Sequence, residues 1–223
     1  MNEIILYHGS DHIIEEPEYG YGAKDNDYGQ AFYCTKELYA GKEWANKDIT
    51  DGVVNKYSFN YSNLKILDLT DKNKYSVLNW IAILMHFRTI KKTFKENHKK
   101  ELKYLEDNYY IDVSEYDLVI GYRADDSYFE FPLLFVDNKL RLETLTEIYE
   151  LGHLGVQYAV VSKKAFSRLK YQKYIDAEPI YKDKYQTRIR LANNQYEELK
   201  NRDHYLKGTR ILDMVGYSDD IRE

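Results

Sequence analysis

The chain has 223 residues, 43% hydrophobic and 31% charged, a balance that excludes a disordered chain and predicts a single globular domain over residues 1–223. Its net charge of −5 disfavours a protein that holds nucleic acid mainly through phosphates, because that function needs a basic surface. With one cysteine, no apolar run near the ~20 residues that span a bilayer, and no secretion signal at the start, we expect a cytoplasmic protein without a membrane partner.

The predicted strands and helices follow one another in irregular order along the chain. Short apolar or alternating runs bounded by loop residues predict strands over residues 4–7, 31–35, 53–61, 64–69, 116–122 and 156–162. Helical spacing predicts helices over residues 36–47, 142–151, 163–171 and about 184–200. This mixture predicts an α+β fold, with a strand-rich core over about 4–170, peripheral helices and a polar, helical C-terminal extension over about 178–223.

The strongest helical pattern covers residues 74–106 and predicts a long, partly buried helix. Residues 75–87 are apolar on nearly every side, which indicates that this part is buried. Residues 91–103 carry many lysines, which is typical of a solvated face. We therefore expect a break between the two parts, near residues 88–92.

Two short segments near the start have residue types suited to holding a polar ligand. The first, LYHGS at residues 6–10, is an apolar run that ends in His8 and Gly9. Glycine lets a ligand approach the backbone closely, and a neutral imidazole can donate to a hydroxyl or accept from one. The alternative is that His8 simply ends a strand. After loop chemistry over residues 11–30, the segment FYCT at 32–35 forms the second predicted strand.

Four segments, in this order, resemble a bacterial family of domains of unknown function within the ADP-ribosyltransferase clade. They are LYHGS (residues 6–10), GQAFYCT with EWA (29–35 and 43–45), YDLVIGYRADD (116–126) and GVQYAVVSKKAF (155–166). The resemblance extends over roughly residues 4–170. It implies a split, strand-rich core that binds NAD, as a substrate, in a cleft.

The resemblance also implies roles for the residues of the first two segments. His8 would hydrogen-bond a ribose hydroxyl, the backbone at Gly9 would hold the nicotinamide amide, and Tyr33 would stack on the nicotinamide ring. Their neighbours in the same segments are assigned to the same site: Ser10, Phe32 and Thr35.

The aromatic assignment rests on Tyr33, whose flat ring suits a cationic pyridinium. The chain has 24 tyrosines, so a core position for Tyr33 is the alternative. Because side chains alternate along a strand, only one of Phe32 and Tyr33 is expected to face the cleft. Trp44, on the following helix, is interpreted as core packing behind the strand.

The third catalytic motif of the clade normally contributes a Glu at the start of a late strand, and here the matching residue is Gln157, in the segment GVQY. An amide can bond the ribose hydroxyl, but it supplies neither a negative charge against a developing oxocarbenium ion nor a base. Asp125 and Asp126, which follow a predicted strand, are the candidates for that charge. We favour Asp126 as the catalytic carboxylate and Asp125 as a turn residue or a support behind it; an Asp-rich turn without function is the alternative. Arg123 could pair with a diphosphate or be a solvated surface residue.

The leading hypothesis is an NAD-dependent ADP-ribosyltransferase acting as a toxin, phage-defence factor or counter-defence effector. The acceptor of ADP-ribose could be a protein side chain, a nucleic-acid base, a small molecule or water, and a protein is favoured over nucleic acid. With water as acceptor, the enzyme would be an NAD glycohydrolase. An antitoxin or inhibitor is an expected partner of such a toxin.

The alternative hypothesis is a binding module that holds NAD or an ADP-ribosyl group without turnover, because Gln157 has replaced the acid. The lysine-rich part of the 74–106 segment would then be a possible contact face. The remaining histidines show no metal-ligand spacing, so no metal is expected. Cys34 is expected to be a small buried thiol rather than a nucleophile.

Overall fold

Two β-sheets form the centre of the fold in a computed structural model that describes residues 3–48, 51–124, 129–151, 155–203 and 207–216. The strands are β1 (Glu3–Ser10), β2 (Phe32–Cys34), β3 (Val53–Asn60), β4 (Ile66–Asp68), β5 (Leu118–Tyr122), β6 (Val156–Val160) and β7 (Leu169–Asp176). One sheet has the order β1-β3-β7, and the other has the order β2-β6-β5-β4. Every neighbouring pair is antiparallel except β4 with β5.

The two sheets meet where β1 passes the end of β2. The backbone N–H of Tyr7 donates to the Thr35 carbonyl at 2.8 Å, and the N–H of Thr35 donates back to Tyr7 at 2.9 Å. Leu6 of β1 and Phe59 of β3 pack with Cys34, Leu118 and Val160 of the other sheet in one buried cluster. These buried contacts hold the two sheets together.

Nine α-helices and one 3-10 turn (Val113–Glu115) surround the sheets within the described residues. They are α1 (Leu38–Ala45), α2 (Val77–Phe87), α3 (Lys92–Asn97), α4 (Lys99–Tyr109), α5 (Glu130–Val136), α6 (Leu142–Leu151), α7 (Lys163–Phe166), α8 (Ile180–Asp203) and α9 (Ile211–Val215). No helix among these residues is both long enough and apolar enough to cross a membrane. The α+β expectation is thus confirmed.

The segment predicted as one long helix over residues 74–106 is three helices, α2, α3 and α4. The expected break is present, because the chain leaves helical geometry after Phe87 and resumes it at Lys92. The burial expectation is also confirmed, since Trp80, Ile81 and Leu84 of α2 lie fully buried in the larger core cluster. A second interruption at His98, which separates α3 from α4, was not predicted.

The helix predicted over residues 163–171 is wrong in its second half. It ends at Phe166, and strand β7 begins at Leu169. The β7 strand pairs along β3 with an irregularity between Lys56 and Tyr57. Because most of its side chains are exposed at a sheet edge, β7 lacks the apolar alternation by which a strand is usually recognised. Helices α5 and α9 were also missed.

Candidate functional site

The first wall of the site is the end of β1, where His8 lies half-buried against β2. Nδ1 of His8 hydrogen-bonds the backbone carbonyl of Tyr33 at 2.7 Å. The imidazole also stacks on Phe32, with ring centroids 4.2 Å apart and planes 27° from parallel. Backbone and ring contacts together fix the imidazole, and Nε2 is the ring nitrogen left for a ligand.

A cavity of about 450 Å³, here called the His8 cavity, opens beside this histidine. Its lining combines aromatic rings with polar groups from β1 and from the loop that follows it: His8, Ser10, His12, Ile14, Glu16, Pro17, Glu18, Tyr21, Gly22, Asn26, Ala31, Phe32, Tyr33 and Phe166. A cavity with several ring faces and few charges suits a flat, polar ligand.

Tyr33 separates the His8 cavity from a second cavity. Its hydroxyl donates to the Gly29 carbonyl at 2.6 Å and accepts from the N–H of Tyr28 at 3.0 Å, which holds the 11–30 loop against β2. Phe32 packs against the cluster between the sheets, whereas Tyr33 packs against the larger core. The two rings therefore pack in different clusters, as strand alternation predicts. Both nevertheless line the His8 cavity, so the expectation that only one of them faces the cleft is not met.

The second cavity, here called the Asp27 cavity, measures about 260 Å³. It shares two lining residues, Asn26 and Tyr33, with the His8 cavity. Most of its wall is charged or aromatic: Asn26, Asp27, Tyr33, Trp44, Lys47, Arg88, Arg123, Ala124 and Gln157. The two cavities therefore adjoin at Tyr33; the His8 cavity is rich in aromatic rings and carries two acids, Glu16 and Glu18, whereas the Asp27 cavity carries three basic side chains and one acid.

A buried carboxylate, Asp27, lies at the base of the Asp27 cavity. Its Oδ2 accepts from Nε2 of Gln157 and from the N–H of Ala124, each at 2.8 Å. Nη1 of Arg88 lies 3.6 Å from Oδ1. Gln157 is itself buried and donates again to the Tyr122 carbonyl at 3.2 Å. Asp27 and Gln157 thus form one hydrogen-bonded unit that joins the 11–30 loop to β6.

The rest of the Asp27 cavity is built by two arginines and an indole. The Arg123 guanidinium lies 4.4 Å from the centre of the Trp44 ring, and that of Arg88 lies 4.9 Å from the Phe129 ring. Stacked guanidinium groups are held in fixed planes, which suits them to contact an anionic ligand.

Burial changes the proton affinity of the groups in both cavities. Burial lowers the pKa of His8 below its ordinary value of 6.5, and the hydrogen bond to Tyr33 only partly opposes this, so the ring is neutral at pH 7. Burial raises the pKa of Asp27, against the opposing effects of the Ala124 and Gln157 hydrogen bonds and the two arginines. Burial also raises the pKa of the Tyr33 hydroxyl and of the Cys34 thiol. Cys34 is fully buried, which confirms the expectation of a small buried thiol.

Comparison with protein families matches residues 4–171 to DUF3990, described as a protein of unknown function. The chain belongs to this family. No curated protein and no solved structure matches it. The matched residues include both cavities and every sequence-predicted site residue, so the DUF3990 region and the candidate site coincide.

Within the DUF3990 region, the structure places the remaining predicted residues as follows. Ser10 lines the His8 cavity, and its hydroxyl accepts from the N–H of His12 at 3.1 Å. Thr35 is buried, lines neither cavity, and its hydroxyl accepts from the N–H of Glu37 at 3.1 Å, just before α1. Asp125 and Asp126 lie outside the described residues.

Gly9 faces α1. A Cβ at Gly9 would lie 2.2 Å from the carbonyl oxygen of Gly41 and 2.6 Å from the backbone nitrogen of Ala45. The packing of α1 on β1 by itself therefore requires glycine here. The ligand role of the Gly9 backbone stays a prediction.

Sequence reasoning missed Asp27 and Arg88, and it interpreted Trp44 as core packing although this residue lines the Asp27 cavity. Asp27 is one of several acids in a polar loop, and only its burial distinguishes it from them. The side chains of Arg88 and Trp44 gave no signal in the sequence, because the residues that they meet in the cavity are distant along the chain. Among the described residues, no group of three or more His, Cys, Asp or Glu side chains is placed to hold a metal ion.

Proposed function

We propose that this protein is an NAD-dependent ADP-ribosyltransferase whose cleft is formed by the His8 and Asp27 cavities together. The observation that carries the proposal is that residues from three separate resemblance segments, His8, Tyr33 and Gln157, line two cavities that share a wall. A dinucleotide has two linked halves, and a pair of adjoining cavities suits such a ligand. The split between the two sheets also supports the core that the resemblance implies.

In this proposal the nicotinamide end of NAD occupies the Asp27 cavity. Tyr33 and Trp44 supply ring faces there, and a flat cation is attracted to such faces. Gln157 bonds a hydroxyl of the nicotinamide ribose. His8, neutral at pH 7, bonds a ribose hydroxyl from the other cavity. Arg88 and Arg123, which line the Asp27 cavity, would contact the diphosphate.

The reaction breaks the bond between C1′ of the ribose and the nicotinamide nitrogen. The electron pair of that bond goes to the nitrogen, which neutralises the pyridinium, and the positive charge develops on the ribosyl group. A nucleophile on the acceptor then donates a pair to C1′ and loses one proton to solvent. With water as the nucleophile, the products are ADP-ribose, nicotinamide and a proton. We infer that Asp126 and Gln157 stabilise the ribosyl cation, with Asp125 as their support.

The acceptor is proposed to be a protein, since the net charge of −5 opposes a nucleic-acid substrate. A toxin or defence effector, held in check by an antitoxin, is the proposed biological setting. The second candidate function is a module that binds NAD or ADP-ribose without turnover. The observation that favours it is that an amide, Gln157, stands at the position where the clade has a Glu.

The experiment is to measure nicotinamide release from NAD, with water as acceptor and then with a cell lysate as a source of acceptors. We expect release by the wild type and at least ~100-fold less from His8→Ala, because a lost transition-state contact costs this much. His86→Ala, an exposed histidine remote from both cavities, is the matched control and should match the wild type.

NAD titrations in a calorimeter distinguish the two candidate functions. Binding without release by the wild type would establish the binding module. Neither binding nor release would refute the proposed NAD site altogether.

A further inference from the structure

Gln157 stands where the clade has a Glu, yet the carboxylate of Asp27 lies in direct contact with it. Oδ2 of Asp27 is 2.8 Å from Nε2 of Gln157, and the two residues are 6% and 4% exposed. The residues are 130 positions apart in the chain. The contact is therefore made by the fold and not by local sequence.

This contact determines what Gln157 can offer a ligand. Nε2 has two hydrogens, one donated to Asp27 and the other to the Tyr122 carbonyl at 3.2 Å. Only Oε1 is left to accept from a ribose hydroxyl. A hydrogen bond to an anion polarises the amide and increases the negative charge on its oxygen, an effect that is stronger in a buried site.

The other oxygen of Asp27 supports a role beyond packing. Oδ1 is buried and accepts no hydrogen bond within the described residues, although Arg88 lies 3.6 Å away. A buried acceptor without a hydrogen bond is costly and calls for an explanation, of which a catalytic role and a bound water or ion are the usual ones. Asp27 also lines the cavity itself.

We infer that Asp27 adds to the charge proposed for Asp126 a second negative charge, which acts through Gln157 on the ribosyl cation. This inference rests on the proposed function, and it makes Asp27 a positioning residue for the reaction given above. As the bond from C1′ to nicotinamide breaks, the carboxylate stabilises the positive charge on the ribose through the polarised Gln157 amide. No proton or covalent bond passes to Asp27.

The ionised state of Asp27 depends on its surroundings. Burial favours the neutral acid, whereas the N–H groups of Ala124 and Gln157 and the charges of Arg88 and Arg123 favour the carboxylate. Tyr33, whose own pKa is raised by burial, is the neutral phenol beside it. Nicotinamide release should therefore fall on the acid side at a pH above the range of an ordinary carboxylate.

The test is Asp27→Asn, which keeps the shape of the side chain and removes its charge. We expect kcat for nicotinamide release to fall about 100-fold while KM and the NAD affinity change less than about threefold. The acid-side fall due to Asp27 should disappear and leave the fall due to protonation of His8, a change that a purely structural role would not cause. Asp25→Asn, an exposed acid in the same loop, is the matched control and should behave as the wild type.

A second variant covers the case in which Asp27→Asn does not fold. In Gln157→Glu two carboxylates would face each other across a 2.8 Å contact, so one must take up a proton. The acid-side fall should then move to higher pH. An unmoved profile in this folded variant would overturn the inference.

The remaining outcomes separate this inference from the proposed function. Suppose that the wild type releases nicotinamide, His8→Ala does not, and Asp27→Asn keeps the kcat of the wild type. The proposed enzymatic function is then supported, and the role inferred for Asp27 is wrong. If Asp27→Asn loses NAD binding rather than kcat, Asp27 acts on the ground state and the inference also fails. If the wild type binds NAD without release, or does not bind it, both proposals for catalysis fail.

Discussion

At the scale of single residues, burial determines which groups of the cleft carry charge. His8 is held between the Phe32 ring and the Tyr33 carbonyl, and burial keeps its pKa below 6.5. A neutral imidazole can accept a hydrogen bond, whereas a protonated one can only donate. The same burial raises the pKa of Asp27.

The lowered pKa of His8 predicts how stability changes with pH. The unfolded chain binds a proton at His8 near pH 6.5, whereas the folded protein binds it only at lower pH. The contribution of His8 to stability is thus present above the unfolded pKa and is lost as the pH falls through the folded pKa. When the pH is lowered from about 7.5 to about 5.5, the free energy of unfolding measured in urea should fall more for the wild type than for His8→Ala. Equal losses in the two proteins would contradict this.

At the scale of secondary structure elements, α1 is held from both sides. Its inner face packs on β1 at Gly9. Its outer face contacts the start of the C-terminal extension, where Lys42 pairs with Glu178, and Nε of Arg188 in α8 lies 2.8 Å from Glu43. Since Trp44 lies on the same helix, α8 helps to position the wall of the Asp27 cavity.

The ion pair between α1 and α8 predicts a loss of stability on substitution. The side chains of Glu43 and Arg188 are 8% and 15% exposed. Arg188→Ala leaves the Glu43 carboxylate buried without this partner, which should lower the free energy of unfolding by about 3 kcal/mol. Arg190→Ala, exposed on the same helix, is the control and should change it by less than about 0.5 kcal/mol. Thermal melts followed by circular dichroism measure both, and equal melting temperatures would contradict the role given to the pair.

At the scale of the whole molecule, the chain beyond the DUF3990 match completes the fold. The match ends at residue 171, inside β7, but later residues enter the same core. Asn46 donates to the carbonyls of Ala177 and Glu178 at 3.0 and 2.8 Å and accepts from the N–H of Gly52 at 3.0 Å. Ile211 of α9 is fully buried in the larger cluster.

This arrangement predicts that α9 and the matched region unfold together. Ile211→Ala should lower the free energy of unfolding by about 3 kcal/mol, because it removes buried methyl groups and leaves a cavity. Leu191→Ala, an exposed apolar residue of α8, is the control and should have little effect. Urea unfolding followed by tryptophan fluorescence reports on Trp80, in the cluster that contains Ile211. An unchanged fluorescence transition in Ile211→Ala would show that the two regions unfold independently.

The sequence by itself determined most of the strands, the buried helix at Val77–Phe87 and the break after it, because periodicity depends only on neighbouring residues. It also identified His8, Tyr33 and Gln157, whose segments are local patterns. Strand β7 and the contact of Asp27 with Gln157 were decided by the tertiary structure alone. An edge strand is set by its partner β3, and a buried acid becomes distinct from exposed ones only once residues 130 positions apart are packed together and water is excluded.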